Sequence, residues 1–236
     1  MVVQDSQGLS SYFSEAVSVT SPSDPVEGTE QMNHSASGVG FNMRLAPAAT
    51  FPTGIDNSGT ATVDHDFWVA ETEVTYELWY TVRQWALLNG YKFWNAGMEG
   101  PTTGGGGWPN YNNIGNPPTL RKSEPVTMVN WLDSIVWANA LSELLHYNPA
   151  YRYQGVVIKD ATGTDIGYAI QEDTNGFRLL TSDEWELAAR YKGNDSSYGA
   201  LPLGGLYWTP GSYASGATAC VQCCSNSGCG MVSGQQ

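Results

Sequence analysis

The segment VGFNMRLAPAATFPTG, from Val39 to Gly54, alternates apolar and polar positions and ends at the breakers Pro52 and Gly54, which predicts a strand running into a loop. DHDFWVAETEV predicts a second strand. In TYELWYTVRQWALLNG, Leu78, Val82, Trp85 and Leu88 fall at helical spacing, with Thr75 as N-cap and Gly90 just past the end. PVTMVNWLDSIVWANALSELL opens as a short strand. It then sets Trp131, Ile135, Ala138, Leu141 and Leu145 on one helical face, with Asn130 as cap and Asp133 at the positive end of the dipole.

YRYQGVVIKDATGTDIGYAIQEDTNGFRLL predicts an interrupted hairpin with turns at Asp-Ala-Thr-Gly-Thr and Asp-Thr-Asn-Gly. GFRLLTSDEWELAAR, Gly176 to Arg190, then predicts a third helix. Thr181 and Glu184 fit a capping box, Asp183 adds charge in the first turn, and Arg190 sits near the negative end. Trp185, Ala188 and Ala189 are expected to form its apolar face.

Around these elements the texture is looser. Residues 1–38 are polar with no period that would build a buried face, and are expected to form an arm. A folded domain is expected over 39–219, followed by a Cys/Gly/Ser-rich tail at 220–236. Between Asn95 and Pro118, NAGMEGPTTGGGGWPNYNNIGNPP carries too many Gly, Pro and Asn residues to hold regular structure. Long loops of this kind more often serve function than idle.

Charge narrows the partners. The 236-residue chain has 23 acids against 10 bases, a formal net charge of -13, which repels polyanions and argues against nucleic acid or an anionic membrane surface. No apolar run is long enough to span a bilayer, and the first residues lack the build of a signal peptide. The expected location is the cytoplasm, or outside the cell if a leader was removed.

Candidate chemistry is sparse. Glu184 and Glu186 point to different sides of a helix, so the acidic stretch reads as architecture rather than an acid–base pair. Arg178, Thr181, Glu184, Trp185 and Arg190 are accordingly structural residues. His34, His65 and His146 are scattered and read as surface or loop residues. Cys220, Cys223, Cys224 and Cys229 form one cluster, open to a soft metal or redox role, to local disulfides, or to no organised role at all. Gly104 to Gly107 lack the Lys-Ser or Lys-Thr of a phosphate loop.

The pattern of these blocks resembles a known family. GFRLLTSDEWELAAR is similar to the G-Y/F-R-L-P-T-E-A-E-W-E-x-A-A-R stretch of the formylglycine-generating enzymes, or sulfatase-modifying factors. FWVAETEVTYELW and PVTMVNWLDSIVWANALSE resemble two further blocks of that family, and VGFNMRLAPAATFPTG fits its opening strand. The resemblance covers Val39 to Lys192, with Leu180 in place of the usual Pro and Tyr76 in place of an Asn.

The resemblance implies an α+β, C-type-lectin-like fold, with helices against twisted antiparallel sheet. It also implies buried indoles at Trp131 and Trp185. The family uses copper and calcium, but the blocks that carry its metal sites and catalytic cysteines have no counterpart in this chain, so no catalytic residue and no cofactor is carried over. The fold is therefore expected to be incomplete at the C-terminus, which would favour self-association through unpaired sheet edges.

The function expected is a non-catalytic scaffold for a protein or small-molecule ligand, a role this fold also plays in variable proteins of diversity-generating retroelements. Trp108, Tyr111 and Asn112 in the long loop are the expected contact residues. The alternatives are an oxidase that converts a sulfatase cysteine to formylglycine, or an inactive fragment of one.

Overall fold

The computed structural model describes residues 2–5, 31–54, 58–100 and 113–191. Its main sheet is antiparallel, in the order β10-β1-β6-β3-β2, built from β1 (Val2–Asp5), β2 (Gln31–Ala36), β3 (Val39–Ala46), β6 (Phe67–Ala70) and β10 (Phe177–Leu179). A hairpin of β4 (Ala49–Thr53) and β5 (Gly59–Val63) stands apart from it. A small sheet of β8 (Val156–Val157), β7 (Tyr151–Tyr153) and β9 (Ile170–Gln171) follows the second helix.

Two strands fall inside the stretch expected to be a polar arm, and the expectation is corrected there. Strand β1 pairs with β10 on one side and β6 on the other, Val3 lying opposite Arg178 and Val69. Four residues are too few to show a period, and their partners are distant in sequence. Strand β2 pairs with β3 across a tight turn in which Ser37 and Gly38 both have positive φ, 49° and 90°. Its inward positions are Met32, His34 and Ala36, so a histidine hides the apolar alternation.

The predicted helices form with their predicted caps. Helix α1 (Tyr76–Leu88) is capped by Thr75, whose side chain accepts from the Leu78 N–H, and Gly90 follows it with φ 84°. Helix α2 (Trp131–Leu144) starts with a full capping box between Asn130 and Asp133. Helix α3 (Ser182–Arg190) starts with the predicted box between Thr181 and Glu184.

The buried faces differ from those expected. Helix α1 buries Tyr76, Leu78, Trp79, Val82 and Ala86, while Leu88 is 87% exposed at its last turn. Helix α2 is buried almost all round from Ile135 to Ser142, and it is Trp137 rather than Trp131 that enters the core. Trp131 occupies the first helical position, clear of the sheet, and is 57% exposed. Trp185 is 57% exposed as well, because α3 turns Glu184, Leu187 and Arg190 inward. The indoles of Trp79 and Trp137 stack instead, with centroids 5.5 Å apart and planes 7° apart.

Buried polar groups fix the layers. Fully buried Asn139 donates to the carbonyls of Tyr151 (2.7 Å) and Ile158 (2.9 Å) and accepts from the Tyr151 N–H, tying α2 to β7. Ser142 Oγ accepts from the Phe177 N–H at 2.8 Å and so ties α2 to β10. Gly176 lets these chains meet, since a Cβ there would lie 2.1 Å from the Asn148 carbonyl oxygen. A second, smaller core of Ala46, Phe51, Val63, Phe67, Val69 and Leu187 seats α3 against the β4–β5 hairpin.

The hairpin after α2 turns at Gln154 and Gly155, with φ 49° and 77°, not at the Asp-Ala-Thr-Gly-Thr stretch. There Asp160 caps the Thr162 N–H at 2.8 Å and binds Lys92. No helix among the described residues is long and apolar enough to cross a membrane.

Candidate functional site

The long loop predicted between Asn95 and Pro118 leaves and re-enters the fold through a braced stem. Trp94 and Asn95 donate their backbone N–H groups to Asp133 Oδ1, at 2.7 and 3.3 Å, and Asn95 Nδ2 donates to Oδ2 at 2.7 Å. Asp133 is fully buried, and the same carboxylate accepts the Asn130 N–H. Its expected role at the helix dipole is thus one part of a larger one, pinning the loop to the start of α2.

Further along, Trp79 Nε1 donates to the Ala96 carbonyl at 2.9 Å. Gly97 has φ 76°, and a Cβ there would meet that indole nitrogen at 2.5 Å, so only glycine fits. Met98 and Thr127 exchange two backbone hydrogen bonds of 2.9 Å. On the returning segment, the Gly115 N–H donates to the Gly97 carbonyl at 2.8 Å, and Tyr76 Oη donates to the Asn116 carbonyl at 2.7 Å. Buried Glu99 closes the stem, accepting from Thr119 Oγ1 at 2.6 Å, from the Thr119 N–H and from Asn113 Nδ2 at 3.1 Å.

This bracing carries an apolar surface. Trp94 (61% exposed), Ile114, Met128 and Trp131 stand on three segments joined by the bonds just described. The expected contact residues Trp108, Tyr111 and Asn112 belong to the loop itself and lie outside the described residues. Cys220, Cys223, Cys224 and Cys229, near the other end of the sequence, also lie outside the described residues.

The acidic stretch of α3 resolves into a buried ion pair. Arg178 gives Nη1 to Glu184 Oε2 at 2.7 Å and Nη2 to Oε1 at 2.6 Å, both side chains being almost wholly buried. The Thr181 N–H reaches Oε2 at 2.8 Å, and His65 Nε2 lies 2.9 Å from Oε1. Burial alone would raise the pKa of Glu184, yet the Arg178, Thr181 and His65 contacts hold it down at about 2. With four nitrogens from three residues around its two oxygens, this carboxylate is spent as a ligand and makes a poor general base. Arg190 likewise pairs with Glu186 and donates to the Gly54 carbonyl at 2.7 Å.

His34 departs from the surface or loop reading, whereas His65 keeps to it, in the loop between β5 and β6 with its side chain 41% exposed. His34 stacks on Phe41 at 5.1 Å and meets the edges of Tyr147 and Phe177, and burial lowers its pKa to about 4. His65 bridges Asp64 and Glu184 at 3.0 and 2.9 Å. Neither position carries a sequence signal. The role of Trp137 did carry one, because IVWANAL is apolar at every position but Asn139, as befits a helix buried on nearly every side.

Among the described residues, no three His, Cys, Asp or Glu side chains come together to hold a metal.

A family model described as "Sulfatase-modifying factor enzyme 1-like domain" matches residues 28–220. The fold is similar to the crystal structure of CarF, with a TM-score of 0.53 and 26% identity over 65% of this chain and 57% of that one. It is also similar to Treponema denticola variable protein 1, with a TM-score of 0.48 and 24% identity over 70% of this chain and 58% of that one. The chain thus spans less than two thirds of the length of either structure. No curated protein sequence matches it.

Proposed function

This chain belongs to the sulfatase-modifying factor enzyme 1-like family and has a C-type-lectin-like fold, and from that premise we propose that it is a binding scaffold whose contact surface is the long loop and the ground around its stem. The observation that supports this reading is the pairing of rigidity with exposure. Asp133, Glu99 and Trp79 hold the stem from beneath, while Trp94, Ile114, Met128 and Trp131 leave large apolar side chains in solvent. Aromatic anchors on a pre-ordered base lose little entropy on binding, which is the usual make-up of a binding hot spot. Trp108 and Tyr111 would add two aromatics to this surface.

The family's other chemistry is oxidation of a peptidyl cysteine, so two assays are run on one folded sample. Incubation with copper and a peptide containing Cys-x-Pro-x-Arg, followed by mass spectrometry, is expected to yield no aldehyde. Peptides selected from a random library on the native protein are expected to lose binding to Trp94→Ser and Trp131→Ser variants. Aldehyde formation, or selected peptides indifferent to both substitutions, overturns the scaffold reading.

A further inference from the structure

The described part of the chain contains nine lysines and arginines, and eight are in salt bridges with carboxylates: Arg44, Lys92, Arg121, Lys122, Arg152, Lys159, Arg178 and Arg190. Arg83 is the exception among the described residues. It projects from α1 with its guanidinium carbon 5.6 Å from the centroid of the Phe93 ring, and its Nε is buried with no hydrogen-bond partner. In a chain with 23 acids for 10 bases, an unpaired cation is not explained by a shortage of anions.

Nor do its neighbours complete it. Asp133 lies near enough to favour the charge, as do Tyr76 and Tyr80, but burial outweighs them and disfavours the charged form. Asp133 is committed to the N–H groups of Trp94, Asn95 and Asn130, and Glu99, at the other end of the stem, is committed to Thr119 and Asn113. The buried Nε left without an acceptor costs free energy that an incoming anion on this half-buried guanidinium recovers, and its planar fork suits a carboxylate.

We propose that Arg83 anchors a subsite for the carboxylate of a ligand whose apolar or aromatic body lies along Tyr80, Phe93 and Trp94. The proposal rests on reading this face as the contact surface, since Phe93 is followed directly by Trp94 of the stem. A single carboxylate suits the site better than a phosphate. The chain's net charge of -13 and the nearby Asp133 repel a dianion more strongly than a monoanion. The Phe93 ring beneath the guanidinium provides the apolar contact that a bare inorganic anion cannot use.

The test uses the full chain, with benzoate, neutral benzamide and inorganic phosphate as probes at matched ionic strength. Binding is read from the Arg83 Nε–H signal in proton–nitrogen spectra and from the shift in Tm. Benzoate is expected to move the Arg83 signal and raise Tm, benzamide and phosphate to do neither, and Arg83→Met to weaken benzoate about tenfold or more. Arg83→Met is also expected to leave the unliganded Tm unchanged or higher, since it keeps an apolar stem against Phe93 and removes an uncompensated charge.

Benzoate binding that persists in Arg83→Met, equal protection by phosphate or benzamide, no response to benzoate, or a clear loss of unliganded stability in Arg83→Met each overturns the proposal. Such a failure, with selected peptides still dependent on Trp94 and Trp131, removes the Arg83 subsite and leaves the scaffold reading intact. Failure of both sets of assays removes both.

Discussion

Replacing Glu184 by Gln preserves the shape of the side chain and removes its charge from the middle of a buried network. In the native protein that charge is met by two Arg178 nitrogens at 2.7 and 2.6 Å and by the Thr181 N–H at 2.8 Å, with His65 2.9 Å away. The substitution leaves Arg178 buried with half of its hydrogen bonding contested by an amide, and breaking a buried pair from one side typically costs about 3–5 kcal/mol. The titration behaviour gives the same order of magnitude. Moving a carboxyl from its ordinary 4.5 to about 2 corresponds to about 3 kcal/mol of stability.

The sign follows from the direction of that shift. The folded-state pKa is depressed, so the contribution is fully present above pH 4.5 and is lost as pH falls towards about 2. Urea unfolding followed by tryptophan fluorescence at neutral pH should show the loss with an unchanged m-value, and Tm should fall by roughly 10 °C. The native protein should lose stability between pH 4.5 and about 2 more steeply than the variant. A joint Arg178→Met and Glu184→Leu variant should recover most of the loss, because neither charge is then stranded. A Glu184→Gln variant within about 1 kcal/mol of native at neutral pH would refute the argument that the pair is buried and mutually dependent.

Burial holds the His34 pKa down at about 4, below its unfolded value of 6.5, so its contribution is complete above pH 6.5 and declines as pH falls towards 4. Replacing His34 by Phe should flatten the stability profile in that window, as read by Tm against pH. Asp133→Asn should lower stability by about 2–4 kcal/mol, since it weakens both the cap of α2 and the carboxylate clamp on the loop. Amide exchange should quicken first at Trp94 and Asn95, whereas a uniform quickening over the whole chain would show that the clamp is not local.

Caps and helices were legible in the sequence because their signals are local. Thr75, Asn130 and Thr181 each lie within three residues of the backbone N–H that they cap. Which face each helix buries was less legible, since it depends on where the sheet lies. A tryptophan at the first helical position reads as a core residue on a wheel, yet Trp131 stands clear of the sheet, and Trp137 fills the gap beside Trp79. Strands β1 and β2 were hidden for the opposite reason: each is short or polar, and pairing with partners far along the chain or across a tight turn makes them strands.

The site divides along the same line. That Asn95 to Pro118 forms a long loop follows from its Gly, Pro and Asn content, but the bonds that brace it join residues up to 40 positions apart, as in Tyr76 to Asn116. Arg83 shows the limit most clearly. Composition says that acids outnumber bases by more than two to one, from which every cation is expected to find a carboxylate. Near Arg83, the buried Asp133 of α2 is instead turned to backbone amides of the loop stem. The same bonds that make the stem rigid thus leave the guanidinium unpaired, and stiffness of the contact surface and readiness to take an anion have one structural origin. Loosening the clamp by Asp133→Asn should therefore weaken benzoate binding even though Asp133 is itself an anion that would repel the ligand. Tighter binding in that variant would show that charge repulsion, and not the order of the stem, governs the subsite.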